Sequence, residues 1–215
     1  MIDLTGMPKS MGRLPRDERG YPIPFFTFID PETGIPNFTT IAPGKIRDCV
    51  RFRKCWICGE KMGRFMSFVI GPASSITHVS GEPPSHRECA RFACRVCPFL
   101  ANPNMKRIPD KYLPEATPLP GDHLDRNPGV MLIWTTKNYQ VMPQGEGVLF
   151  VIGKHEEIEY YSQSRKATRN EIIQSINGCL PFVRAIAEQQ GPKAVIQLAN
   201  DIKYAFQLVP EDPPS

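Results

Sequence analysis

Hydrophobic spacing is clearest toward the C-terminal end of the chain. Ile172, Ile173, Ile176, Leu180, Val183, Ile186 and Ala187 recur three and four apart, which places them on one face of an α-helix. Thr168 precedes this run with Glu171 three residues on, the reciprocal pair that caps a helix N-terminus. Gly178 and Pro181 interrupt it, so a kink or break is expected there. Gly191-Pro192 restarts the pattern, and Val195, Ile196, Leu198, Ala199, Ile202, Ala205 and Phe206 form a second apolar face. Upstream the rhythm shortens. Residues 131–134, 148–152 and 158–161 are brief apolar or β-prone runs with Gly145, Gly147 and Gly153 at turns, which predicts strands. A small sheet covered by an antiparallel helix pair is the simplest packing for 130–209.

Earlier in the chain the elements are shorter. Residues 47–54 read as a strand, and 64–70 (Arg-Phe-Met-Ser-Phe-Val-Ile) as a second strand ended by Gly71-Pro72. Residues 76–80 are expected to return as the other half of a hairpin closed by Gly81. Pro83-Pro84 blocks helix upstream, Ser85 is a good N-cap, and Glu88 completes a capping box. That predicts a helix from 86 to about 97, before Pro98. Residues 1–44 and 101–129 carry seven and six prolines and little periodicity, so they read as an arm and a linker. The apolar stretch 21–28 includes Phe25, Phe26 and Phe28; packing on the core, with one edge strand, is favoured over a partner surface. The expected organisation is α+β: an arm (1–44), a module (45–100), a linker (101–129) and a small lobe (130–209).

Charge changes this picture because it is unevenly placed. Residues 45–111 hold 13 Lys and Arg against 5 Asp and Glu, whereas the remainder holds 13 against 17. A basic region suits a polyanion or an acidic protein surface, and a solvated face is the plain alternative. Arg87, Arg91 and Arg95 sit four apart on the expected helix, and Arg51, Arg53, Lys54, Lys61 and Arg64 surround the first cysteine pair. Arginines in this arrangement can grip phosphate through paired hydrogen bonds.

Seven cysteines, an odd number, stand in a chain with no apolar run near the roughly 18 residues of a membrane span and no signal-like start. A cytosolic location is the expectation, and there thiols stay reduced or bind metal. Cys55-Trp56-Ile57-Cys58-Gly59 has the shape of a zinc knuckle, and His86 and Cys89 give a second ligand pair in the first turn of the expected helix. Cys55, Cys58, His86 and Cys89 would close a tetrahedral Zn2+ site with no position open for substrate, so the metal would be structural. On a helical wheel Cys97 falls on the zinc side as a core thiol and Cys94 at the boundary. A second metal using both with Cys49 or His78 is the alternative, as is Cys97 replacing Cys89.

Knuckle, hairpin and helix in this order, with ligands at both ends, resemble the treble-clef class of zinc finger. Cys-Trp-Ile-Cys-Gly, Pro-Pro-Ser-His-Arg-Glu-Cys-Ala, Val-Cys-Pro-Phe-Leu and Ser-Arg-Lys-Ala-Thr-Arg-Asn-Glu-Ile-Ile-Gln-Ser-Ile are also similar to a group of uncharacterised bacterial, prophage and phage proteins. That resemblance implies a mobile-element setting in a bacterial cytosol and no particular activity. Three functions follow as expectations. The first is a zinc-stabilised protein that binds nucleic acid or a nucleoprotein complex through its basic module. The second is an accessory protein that inhibits or adapts a host complex. The third, weakest, is an HNH-like nuclease with His78 as general base, since the helix lacks the further His or Asn ligands such a site requires. His155-Glu156-Glu157, expected in a turn near Tyr160, Tyr161 and Arg165, could line a small pocket. The chain contains no phosphate-binding glycine loop and no nucleophile elbow.

Overall fold

A run of six residues, Met131-Leu132-Ile133-Trp134-Thr135-Thr136, is buried at every position. In a strand, successive side chains point to opposite faces, so burial throughout requires cover on both sides. The computed structural model describes residues 2–102, 127–145 and 147–211 and supplies that cover. In chain order it has a short 3-10 turn (Lys9–Met11), β1 (Thr27–Ile29), β2 (Pro36–Ile41), α1 (Lys45–Phe52), β3 (Met66–Ile70) and α2 (Pro72–Thr77). There follow β4 (Val79–Ser80), α3 (Arg87–Val96), α4 (Pro98–Ala101), β5 (Met131–Thr136), β6 (Tyr139–Gln144) and β7 (Gly147–Ile152). The chain ends with β8 (His155–Ser162), β9 (Arg165–Lys166), α5 (Arg169–Gln190) and α6 (Pro192–Gln207).

β5 lies inside a sheet of order β3-β5-β8-β9, antiparallel to both neighbours. Leu132 and Trp134 face a core shared with Ile172, Ile176 and Val183 of α5 and Leu198 and Ala205 of α6. Met131 and Ile133 face the other way, against Ala90 and Cys94 of α3. The result is a helix pair, a sheet and a single helix in three layers, with α2 wedged against α5 and α6. A second sheet, β4-β7-β6, joins the main core through Phe150. Strands from 45–100 and from 130–209 are therefore mixed within both sheets.

The α+β class and the C-terminal helix pair are as expected, and Thr168 and Glu171 form the complete capping box of α5. Pro181 does not break α5, which runs unbroken from Arg169 to Gln190. The buried stripe Ile172, Ile176, Cys179, Val183 and Ala187 keeps one face in the core along the helix. β6 was not anticipated, because Pro143 and two glutamines obscure its pattern. It is an edge strand, where proline is tolerated.

Three local expectations around the cysteines are corrected. Residues 47–54 form most of helix α1 and its C-cap, because the apolar Ile46, Cys49 and Val50 share one helical side. Residues 76–80 do not return as a hairpin with β3. Pro72 starts helix α2 after Gly71, and the short β4 beyond it pairs with β7 while β3 pairs with β5. Ser85 is not the N-cap of α3. Its backbone is paired with Ser67, which leaves His86 at the N-cap with no side-chain cap. The linker expected over 101–129 lies almost wholly outside the described residues.

Candidate metal centre and the charged surfaces around it

The knuckle is a tight loop pinned at its base. Cys55 N–H donates to Glu60 O at 2.8 Å, Met62 N–H donates to Arg53 O at 2.8 Å, and Gly59 N–H donates to Cys55 O at 2.9 Å. Gly59 has φ 76, and a Cβ there would lie 2.7 Å from the Phe25 ring, so both backbone and space require glycine. Phe25 and Phe26 from the N-terminal segment close over the loop, Phe26 stacking on Trp56 at 4.7 Å. Core packing of these rings is thus observed.

The Sγ atoms of Cys55, Cys58 and Cys89 and a ring nitrogen of His86 lie within 4.8 Å of one another. Cys55 and Cys89 are fully buried and Cys58 nearly so. His86 Nδ1 is 3.3 Å from Cys58 Sγ, while its Nε2 lies 3.2 Å from the Lys61 carbonyl. A carbonyl only accepts, so Nε2 carries a hydrogen, and Nδ1 is the ring nitrogen turned toward the sulfurs. The Cys55 sulfur accepts from the Cys58 and His86 backbone N–H groups at 3.4 and 3.3 Å.

Electrostatics agree with this geometry. Hydrogen bonds to the Cys55 and Cys58 sulfurs, against burial, push His86 up to about 10. Burial opposes ionising Cys55, but hydrogen bonds from Cys58, Cys89 and His86 outweigh it and bring the thiol below its ordinary value. Cys89 is pushed upward by its hydrogen bonds to Cys55 and Cys58, with burial adding to them. Four donors crowded this closely share protons as one unit, and a cation that replaces the protons relieves the crowding. The cluster can therefore hold a metal ion, and three sulfurs with one imidazole form a donor set suited to zinc.

One contributor could not be read from the sequence. Ser10 Oγ, in the 3-10 turn of the expected arm, lies 3.5 Å from Cys89 Sγ, and neighbouring Met11 packs in the same cluster as Cys55, Cys58 and Cys89. Ser10 and Cys89 are 79 positions apart, so no spacing rule links them.

Cys94 and Cys97 do not join the cluster. Cys94 is fully buried against Ala90, Met131, Ile133 and Tyr161, so it is a core thiol and not a boundary residue. Cys97 ends α3, half-buried. Among the described residues the Cys3His set is the only metal-competent group. His78 lies elsewhere, at the end of α2, with its ring 5.0 Å from Trp134 and 5.8 Å from Tyr204. Burial lowers its pKa against the pull of Asp201, and its Nε2 is buried without a hydrogen-bond partner. His155, expected in a turn, opens β8.

The basic residues divide into two sets. Arg87 pairs with Glu157, and Arg91 reaches Glu157 at 3.0 Å and Glu159 at 2.7 Å. Glu159 also pairs with Lys166. Burial would raise the Glu159 carboxyl, but Lys166 and Arg91 outweigh it and hold the group below its ordinary value. Arg95 donates to Thr5 O at 3.3 Å. The arginine row of α3 therefore faces protein groups. Around the knuckle, Arg47, Arg51, Lys61 and Arg64 are exposed, and no carboxylate among the described residues lies within ion-pair distance of them. Arg53, also exposed, donates to Gly63 O at 3.1 Å, and Lys54 has Asp48 at 3.9 Å.

Comparison with protein-family models, with curated proteins and with solved structures finds no match to this chain. No helix among the described residues is long and apolar enough to cross a membrane.

Proposed function

We propose that the protein is a zinc-stabilised nucleic-acid-binding protein. Cys55, Cys58, His86 and Cys89 would hold one Zn2+ whose role is to fix the knuckle and the start of α3. Four protein donors fill a tetrahedral shell, so the ion would serve folding rather than catalysis. In this reading the knuckle pair and the pair at the start of α3 would correspond to treble-clef ligands, although β3 and β4 do not form its hairpin.

The observation that carries the binding reading is the exposed positive charge of Arg47, Arg51, Lys61 and Arg64 on α1 and around the knuckle, with no carboxylate among the described residues within ion-pair distance. Cations on a rigid base can meet phosphates with little ordering cost, and each contact releases counterions. Binding of labelled DNA and RNA across a salt series tests the reading. Affinity is expected to fall linearly with salt on a log–log plot, and replacing Arg51, Lys61 and Arg64 with Ala should reduce the slope by about 2–3. Absence of salt-dependent binding to either nucleic acid would overturn it.

A further inference from the structure

Two large exposed aromatic side chains flank the knuckle among these basic residues. Phe52 is 49 % exposed at the last position of α1, and Phe65 is 50 % exposed just before β3. An isolated exposed ring needs no explanation, but these two are tied to one place. Lys54 pairs with Lys61, Arg53 O accepts from Met62, and the Arg53 guanidinium donates to Gly63 O between the two rings in sequence and approaches Met66 Sδ at 3.5 Å. Each ring also has a cation near it: Arg51 at 5.2 Å and Lys54 at 5.7 Å from the Phe52 centroid, and Lys137 at 5.5 Å from that of Phe65.

Aromatic faces interleaved with cations are the chemistry that holds unpaired bases, the rings stacking on bases while the cations follow the backbone. Duplex readout instead needs an element seated in a groove with free side chains on it. The ten-residue helix α3 has its arginines committed to Glu157, Glu159 and Thr5. We infer that this surface takes single-stranded nucleic acid, with bases stacked on Phe52 and Phe65 and phosphates on Arg51, Lys61 and Arg64. The inference rests on the nucleic-acid reading above and specifies its ligand.

The test compares a mixed-sequence single strand with a duplex of equal length, as DNA and as RNA, using the zinc-loaded full chain. The single strand is expected to bind more tightly. Phe52→Ala and Phe65→Ala should each weaken it by about 5- to 100-fold, leaving the salt slope unchanged because no charge is removed. Phe52→Trp should retain binding, and unchanged zinc content and melting temperature would show that the fold is intact. Salt-dependent binding that favours duplex, or that ignores both alanine changes, would overturn this inference and leave the nucleic-acid reading standing. If neither form shows salt-dependent binding, both fall.

Discussion

The two basic surfaces of the zinc-bearing region both fall within residues 47–95 and have opposite fates. On α3, Arg87 and Arg91 are met by Glu157 and Glu159 of β8, so their charge is spent inside the molecule. Around α1 and the knuckle, Arg47, Arg51, Lys61 and Arg64 are exposed, and no carboxylate among the described residues comes within ion-pair distance of them. Arg64 is nevertheless near enough to Glu156 of β8 to add to Lys137 in lowering that carboxyl's pKa. The difference shows that a local charge excess identifies no surface by itself. The partner of a cation is decided by which strand the fold lays next to it, and β8 comes from a part of the chain with an acidic balance.

The largest effect that would disturb both surfaces is loss of the metal site. Cys58→Ala should release the ion and forfeit folding free energy on the order of 10 kcal/mol, which metal analysis and thermal unfolding would register. Cys94→Ala should leave the metal in place. Next in size, Glu159→Gln should destabilise the chain by about 2 kcal/mol, because Arg91 loses a charged acceptor beside a buried position. This effect carries a pH signature. Glu159 is held below its ordinary 4.5 when folded, so the unfolded chain takes up the proton first. Its stabilisation is complete above 4.5 and disappears as pH falls through the lowered value. The gap between wild type and Glu159→Gln in denaturant midpoints should close over that acid range.

A smaller change is expected at Ser10, where removing the hydroxyl beside Cys89 should weaken zinc binding by about tenfold in a chelator competition. Smallest in stability are Arg87→Ala and Arg64→Ala, and they sharpen the contrast most. Arg87→Ala should cost about 1 kcal/mol or less and leave nucleic-acid binding unchanged, since its partner is Glu157. Arg64→Ala should stay within about 0.5 kcal/mol of wild type while weakening binding and lowering the salt slope. If Arg87→Ala weakened binding as much as Arg64→Ala, the two surfaces would not differ as described.

Legibility followed the range of the interactions. The capping box of α5 and its apolar face are set by neighbours three and four residues apart, and they are readable. On α6, Leu198 and Ala205 are buried as expected, but Val195 and Ile196 of the expected apolar face are exposed. The Cys3His group is readable as well, because each ligand pair has its own short spacing. The failures lie where distant pairing overrode local pattern. Residues 76–80 looked like the second half of a hairpin until β5 and β7 took β3 and β4 as partners. Ser85 looked like an N-cap until Ser67 claimed its backbone. Cys94 looked peripheral on the helical wheel, but the sheet lies against that side of α3.

The sequence by itself determined the kinds of chemistry present: four soft donors in two close pairs, an excess of cations around them, and two amphipathic helices at the C-terminal end. Spacing along a backbone dictates these, because helix and knuckle geometry place residues a few positions apart in fixed relation. Only the tertiary structure decided that Ser10 stands beside Cys89, that Glu157 and Glu159 neutralise the arginines of α3, and that Arg51, Phe52, Arg64 and Phe65 remain at the surface. Those relations join segments tens of residues apart. They depend on which strands pair and which faces are buried, quantities set by the whole core.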